Sequence, residues 1–179
     1  GCEGRAAARL PGLHASRMSR DMKLKPHPDA TSLQAAALWC KAHPDLVVGM
    51  ISGSFDLLHD FHLRTLKLCA RQCDVLVVGI DSDRLVRERK GPTRPILTEF
   101  QREMVMNAIK YVEMVYVLDT LTDYTVVAEV LGVHKVFVNQ AYVGREKMVA
   151  VGKSGAKVII VPDTMEPDST TDLIARIRG

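Results

Sequence analysis

The residues with the most chemical capacity lie in one short stretch, Ser52-Gly53-Ser54-Phe55-Asp56-Leu57-Leu58-His59-Asp60-Phe61-His62. It opens on small residues and ends in two imidazoles three positions apart. Helix signals begin at residue 62, which puts His59 just before the helix and His62 in its first turn. A helix start offers free N–H groups and the positive end of the helix dipole, so it suits an anion such as phosphate. Two imidazoles there add donors that can neutralise charge. A zinc reading needs a third ligand, and the spacing is not the four-residue spacing of helical zinc sites. The spacing alone equally permits two ordinary polar residues at a helix start.

A strand must deliver this turn, and the run Leu46–Ile51 is short, apolar and β-branched. A second such run, Val75–Ile80, follows a helix at 62–72. Residues 31–43 form a first helix, opened by Thr31 or Ser32 and stopped by Pro44. Beyond residue 98 the pattern alternates: helix 99–110, strand 114–118, helix 123–131, strand Lys135–Val138, helix 145–152, strand 157–161 and helix 170–178. Strands that are apolar on both faces, alternating with helices, predict a doubly wound, Rossmann-like α/β sandwich on a mostly parallel five-stranded sheet. Ligands in such sheets bind beyond the carboxyl ends of the strands. The site is therefore expected around residues 52–62, 81–91, 119–123, 139–145 and 162–171.

Composition narrows the function classes. The chain has 179 residues, 47% of them hydrophobic and 25% charged, enough apolar material for one folded domain over 31–179. No apolar run is long enough to span a membrane. The net charge of +3 resides entirely in residues 1–30, which hold six basic and three acidic side chains. That stretch has no secretory apolar core and reads as a disordered basic extension. The neutral body and 5% aromatic content argue against nucleic-acid binding. Cys69 and Cys73 share a helix face, which reads as two core or reduced thiols and only weakly as a metal pair. Four cysteines are too few for a small disulfide scaffold, so a cytoplasmic setting is the default.

The first turn resembles the G-x-F-D-x-x-H-x-G-H signature of the cytidylyltransferase-like nucleotidyltransferases. The segment Gly79–Ile96, with Asp81-Ser82-Asp83 and Lys90-Gly91-Pro92-Thr93-Arg94-Pro95-Ile96, is similar to the N-S-D-x-x-V-x-x-x-K-G-x-x-R-P-I segment of heptose-phosphate adenylyltransferases. Glu99-Phe100-Gln101-Arg102 resembles that family's E-x-R helix start, and Ser169-Thr170-Thr171-Asp172-Leu173-Ile174 its terminal S-T-T-x-L-I element. The likeness runs over about residues 46–178.

The resemblance implies transfer of a nucleoside monophosphate, AMP from ATP by the K-G-x-x-R-P segment, to a sugar phosphate such as heptose 1-phosphate, with release of pyrophosphate. A cytidylyltransferase acting on glycerol phosphate or a phospho-amino-alcohol is the alternative. Bifunctional members carry a separate kinase domain for which this length has no room, so the transfer step alone is implied. His59, His62 and Lys90 would be catalytic, with the imidazoles on the α- and β-phosphates. Ser54, Phe55, Asp56, Arg102, Asn139, Ser169, Thr170 and Thr171 would bind nucleotide, and Arg94 and Asp81 the acceptor. Mg²⁺ would bridge the phosphates, with no metal site carried by the protein itself, and a homodimer is expected.

Bland readings stand beside these roles. Ser169–Thr171 could simply cap the last helix. Lys90, Arg94 and Arg102 could be solvated, and Asp56 could bond to turn amides. Asp81 and Asp83 could cap the next helix or contact nucleotide, and Val126, Val127 and Val130 could be core or interface. Two departures from the family pattern bear on activity. Phe61 stands where the signature has glycine, whose lack of a side chain admits a ligand close to the backbone, so a nucleotide-binding protein without catalysis is a third reading. Asn139-Gln140-Ala141-Tyr142 replaces a Lys-Gly-Gly-Asp-Tyr stretch.

Overall fold

A computed structural model describes residues 32–140, 154–162 and 170–178. The expected basic extension, the expected helix 145–152, Ser169, and the side chain of Thr171 lie outside the described residues. Five strands form one all-parallel sheet: β1 (Val48–Gly53), β2 (Val75–Asp81), β3 (Met114–Leu118), β4 (Lys135–Asn139) and β5 (Lys157–Val161). The sheet order is β3-β2-β1-β4-β5. The chain builds outward from β1 to β3, then returns to place β4 on the open side of β1. The crevice between β1 and β4 is thus the switch point at which sheets of this kind take ligands.

The helices are α1 (Leu33–Ala42), α2 (Asp60–Ala70), α3 (Asp83–Lys90), α4 (Glu99–Asn107), α5 (Leu121–Val130) and α6 (Thr170–Arg178). Ser32, Thr98 and Thr120 cap α1, α4 and α5 through side-chain oxygens that accept from main-chain N–H groups, each relieving a donor the helix leaves unpaired. Helix α3 enters the sequence reading only as the helix that Asp81 or Asp83 could cap, without bounds of its own. It is eight residues long and carries six charged side chains, so only Leu85 and Val86 mark an inner face, and only Val86 is buried. Its start is fixed by Ser82, whose Oγ accepts from Leu85 N at 3.1 Å. Ser82, and neither Asp81 nor Asp83, is the cap.

Two apolar clusters sandwich the sheet. One gathers Met50, Val77, Val136, Tyr124 and Leu131, under α1 and α5. The other gathers Leu66, Cys69, Leu76, Val78, Ile80, Met106 and Phe137, under α2 and α4. Every residue of β2 is buried, as expected of an inner strand covered on both faces. Cys69 and Cys73 are reduced thiols inside the second cluster, and Cys73 Sγ donates to Cys69 O. Burial first, and Cys73 second, push the Cys69 thiol up to about 12, so it is a packing residue at neutral pH. On α5, Val127 is core while Val126 and Val130 are 42% and 37% exposed. No helix among the described residues is long and apolar enough to cross a membrane.

Candidate active site at the carboxyl ends of β1 and β2

Gly53 ends β1 and the chain turns sharply. Phe55 takes a left-handed backbone conformation, φ 45°, which a bulky side chain adopts only under constraint. The constraint is packing: Phe55 is 7% exposed, its ring lies 5.4 Å from that of His62, and a Cβ on Gly53 would stand 3.3 Å from it. Phe55 thus backs an imidazole from inside the fold.

His59 is the N-cap of α2 and His62 its third residue, and the two close a reciprocal capping box. The His59 N–H donates to His62 Nδ1 at 3.4 Å, which leaves Nε2 of His62 to carry the ring proton. The two ring centroids are 4.1 Å apart. Burial first, then His59, then Lys90, lower the His62 pKa to about 4. His62 is therefore a neutral donor at pH 7, and it does not bring the positive charge expected of the pair. Phe61 lies beside His59, with ring centroids 6.3 Å apart and planes 25° from parallel, and is half-buried.

Positive charge comes from the next loop. Lys90 ends α3, and its amine is lowered by burial first, then by Arg94 and Arg89, against the opposing pull of Asp56 and Asp81. A cation held among cations in a partly dry setting gains most from an incoming anion. Arg89 donates to Asp81 at 2.8 Å, and Asp81 also accepts from Ser54 Oγ at 3.3 Å. The sequence reading missed Arg89; its position beside Lys90 at a helix end is the signal that could have found it.

Below this face lies a buried polar layer. Asp56, 2% exposed, accepts from Arg94 Nε at 2.7 Å, from Ile96 N at 2.8 Å and from Leu97 N at 2.9 Å. It is the structural carboxylate that bonds to turn amides, not an open nucleotide ligand. Arg94, 8% exposed, is its ion partner and so is not a solvated loop residue. Arg102, 1% exposed, donates to the carbonyls of Leu97, Ser54 and Asp81 at 3.0, 2.6 and 2.7 Å, and to Asp83 Oδ1 at 2.8 Å. It lies beneath the cleft and not on its wall.

Asn139 ends β4, beside β1. Thr170 starts α6 and is 8% exposed. Among the described residues no three His, Cys, Asp or Glu side chains gather to hold a metal ion. The described carboxylates at these strand ends, Asp56 and Asp81, already accept from arginines. A groove of about 410 Å³ between α2 and the segment after α4, lined by Leu63, Lys67, Ile109 and Tyr111 among others, lies away from these strand ends.

Residues 50–176 match the cytidylyltransferase-like family. The bifunctional protein HldE of Rhodopseudomonas palustris (strain BisA53) is 35% identical over 135 residues, covering 74% of this chain and 27% of that protein. HldE of Hyphomonas neptunium is 36% identical over 135 residues, with 73% and 27% covered. The chain thus spans about a quarter of the length of these relatives. Among solved structures, a lipopolysaccharide core biosynthesis protein from Thermoplasma volcanium superposes with a TM-score of 0.56 at 24% identity, over 68% of this chain and 99% of that one. Pantoate-beta-alanine ligase from Francisella tularensis gives 0.53 at 11% identity, over 82% and 75%. These two likenesses concern the fold.

Proposed function

The chain belongs to the cytidylyltransferase-like family, and from that premise we propose that it transfers AMP from ATP to a phosphorylated sugar and releases pyrophosphate. The identity to HldE proteins and the Lys90–Ile96 segment support a sugar phosphate as acceptor and ATP as donor. The observation that carries the reading is the imidazole pair at the start of α2, 4.1 Å apart, within the electrostatic reach of Lys90.

An acceptor phosphate oxygen attacks the α-phosphorus of the triphosphate. The new O–P bond forms as the bond to the β-phosphate oxygen breaks, and that electron pair leaves with pyrophosphate. A phosphate monoester is already largely ionised at pH 7, since its second pKa is about 6, so no side chain need remove a proton. The difficulty is to assemble anions and to stabilise the charge that develops on the leaving group. His59 and the neutral His62 supply hydrogen-bond donors there, the start of α2 supplies main-chain N–H groups, and Lys90 supplies charge. Thr170, Ser169 and Thr171 act on the outer phosphates from the start of α6, and Asn139 on the base. Mg²⁺ would arrive with the triphosphate as part of the substrate and would help neutralise its charge. The exposed Val126 and Val130 would face a second copy of the chain, which light scattering can test.

Phe61 favours one rival, a nucleotide-binding protein without turnover, because its ring stands beside His59, where the family signature has glycine. Pyrophosphate release from each of the four nucleoside triphosphates, with sugar phosphates, glycerol phosphate and phospho-amino-alcohols as acceptors, separates the readings. In active protein, His59→Ala and His62→Ala should each lower turnover by roughly 100-fold while the fold is retained. Wild-type turnover in both would refute these roles; triphosphate binding with no pyrophosphate release would support the rival.

A further inference from the structure

The groups proposed to meet the phosphates sit on two separate strand exits. His59 and His62 follow β1, and Lys90 follows β2 through α3. The β1–β2 ladder runs to the pair Gly53↔Ile80 and is not continued at Ser54. Ser54 and Asp81 are the next residues on either side. The carbonyls of both accept from one nitrogen, Arg102 Nη1, at 2.6 and 2.7 Å.

We propose that Arg102 is a positioning residue: its guanidinium bridges the fork between β1 and β2 and so fixes the separation of the imidazole pair from Lys90. The two Nη1 hydrogens do what ladder hydrogen bonds do one step earlier, with the added strength of a charged donor. Nε and Nη2 join two further segments to the same plane, the Arg94–Leu97 loop through Leu97 O and the first turn of α3 through Asp83 Oδ1. Glu99, one turn back on α4, reinforces the last of these by accepting from Asp83 N at 2.8 Å. The Arg94–Leu97 loop is itself held to the β1 exit by Asp56. At 1% exposure Arg102 has no open face for a ligand, so it acts through these loops. A lysine, with a point charge and no planar fork, cannot serve four acceptors in these directions.

The kinetic consequence rests on the transferase reading above; the effect on loop mobility does not. The test uses the full chain, with Arg102→Lys and, as a milder cut that removes one leg, Asp83→Ala. Amide hydrogen exchange should quicken in residues 54–59 and 81–90 together in Arg102→Lys, with β2 interior amides unchanged, and in 81–90 alone in Asp83→Ala. Turnover in Arg102→Lys should fall about 100-fold while the ATP Kd measured by calorimetry stays within about threefold. An equal loss of ATP affinity and turnover would make Arg102 a direct ligand and overturn the proposal. Exchange that quickens evenly over the whole chain, or unchanged turnover, would overturn it too. If Arg102→Lys does not fold, unchanged exchange at 81–90 in Asp83→Ala overturns it. Wild-type protein that releases no pyrophosphate defeats the transferase reading, and the exchange measurements still decide the bridge.

Discussion

The middle of the sheet and its carboxyl edge are built from the same strands by different means. At mid-sheet, Leu76, Val77 and Val78 are fully buried among other apolar side chains, and what fixes them is volume and the exclusion of water. One step further along, β2 ends in Asp81, 1% exposed, and what fixes it is a set of named partners, Arg89 and Ser54. The first layer depends on size, so any side chain of similar shape serves. The second depends on donors and acceptors, so a change of one atom matters even when the shape is kept.

The largest effect expected from that contrast is at Asp56. Asp56→Asn keeps the shape but leaves Arg94 buried beside a neutral group, and should destabilise the fold by about 4 kcal/mol in urea denaturation. A loss below about 1 kcal/mol would mean that the polar layer is as tolerant as the apolar one.

A second expectation concerns pH. His62 titrates near 4 in the fold against an ordinary 6.5. Between those values the unfolded chain takes up the proton that the folded chain refuses. The contribution of His62 to stability is therefore complete above about 6.5, falls as pH drops towards 4, and levels off below. His62→Gln should flatten that slope in melts taken from pH 7 to pH 4, and a slope as steep as wild type would place the burial cost elsewhere.

The apolar layer gives the third test: Leu76→Met should cost less than about 1.5 kcal/mol, well under the Asp56 value. The smallest effect is expected at the rim. Phe61→Gly removes the ring beside His59 and should tighten ATP binding about threefold in calorimetry, near 0.6 kcal/mol. Unchanged affinity would show that the ring does not obstruct.

These layers were unequally legible in the sequence. The apolar runs of β1 and β2, the caps at Ser32 and the helix starts near residues 99 and 170 are local signals, and the sheet follows from their alternation. The imidazole pair at a helix start was legible for the same reason. Arg102 was not: two of its three carbonyl partners lie 48 and 21 residues away, and a buried guanidinium is written with the same letter as a solvated one. Asp56 was open between two roles because its partners lie 38 to 41 residues on. The left-handed Phe55 leaves no trace in composition. Helix α3 was hidden by its own charge, since eight residues with one buried side chain present no periodicity to read.

The order of the strands also sets a timetable. Because β1 lies between β2 and β4 while β4 is encoded after β3, a nascent chain released only as far as Leu118 contains three complete strands, yet the innermost of them has a bare hydrogen-bonding edge. Such an edge is where a foreign strand can add. The β4 wall of the crevice is added only after β3, so a chain that stops between Leu118 and Lys135 should keep that edge of β1 bare and open to foreign strands.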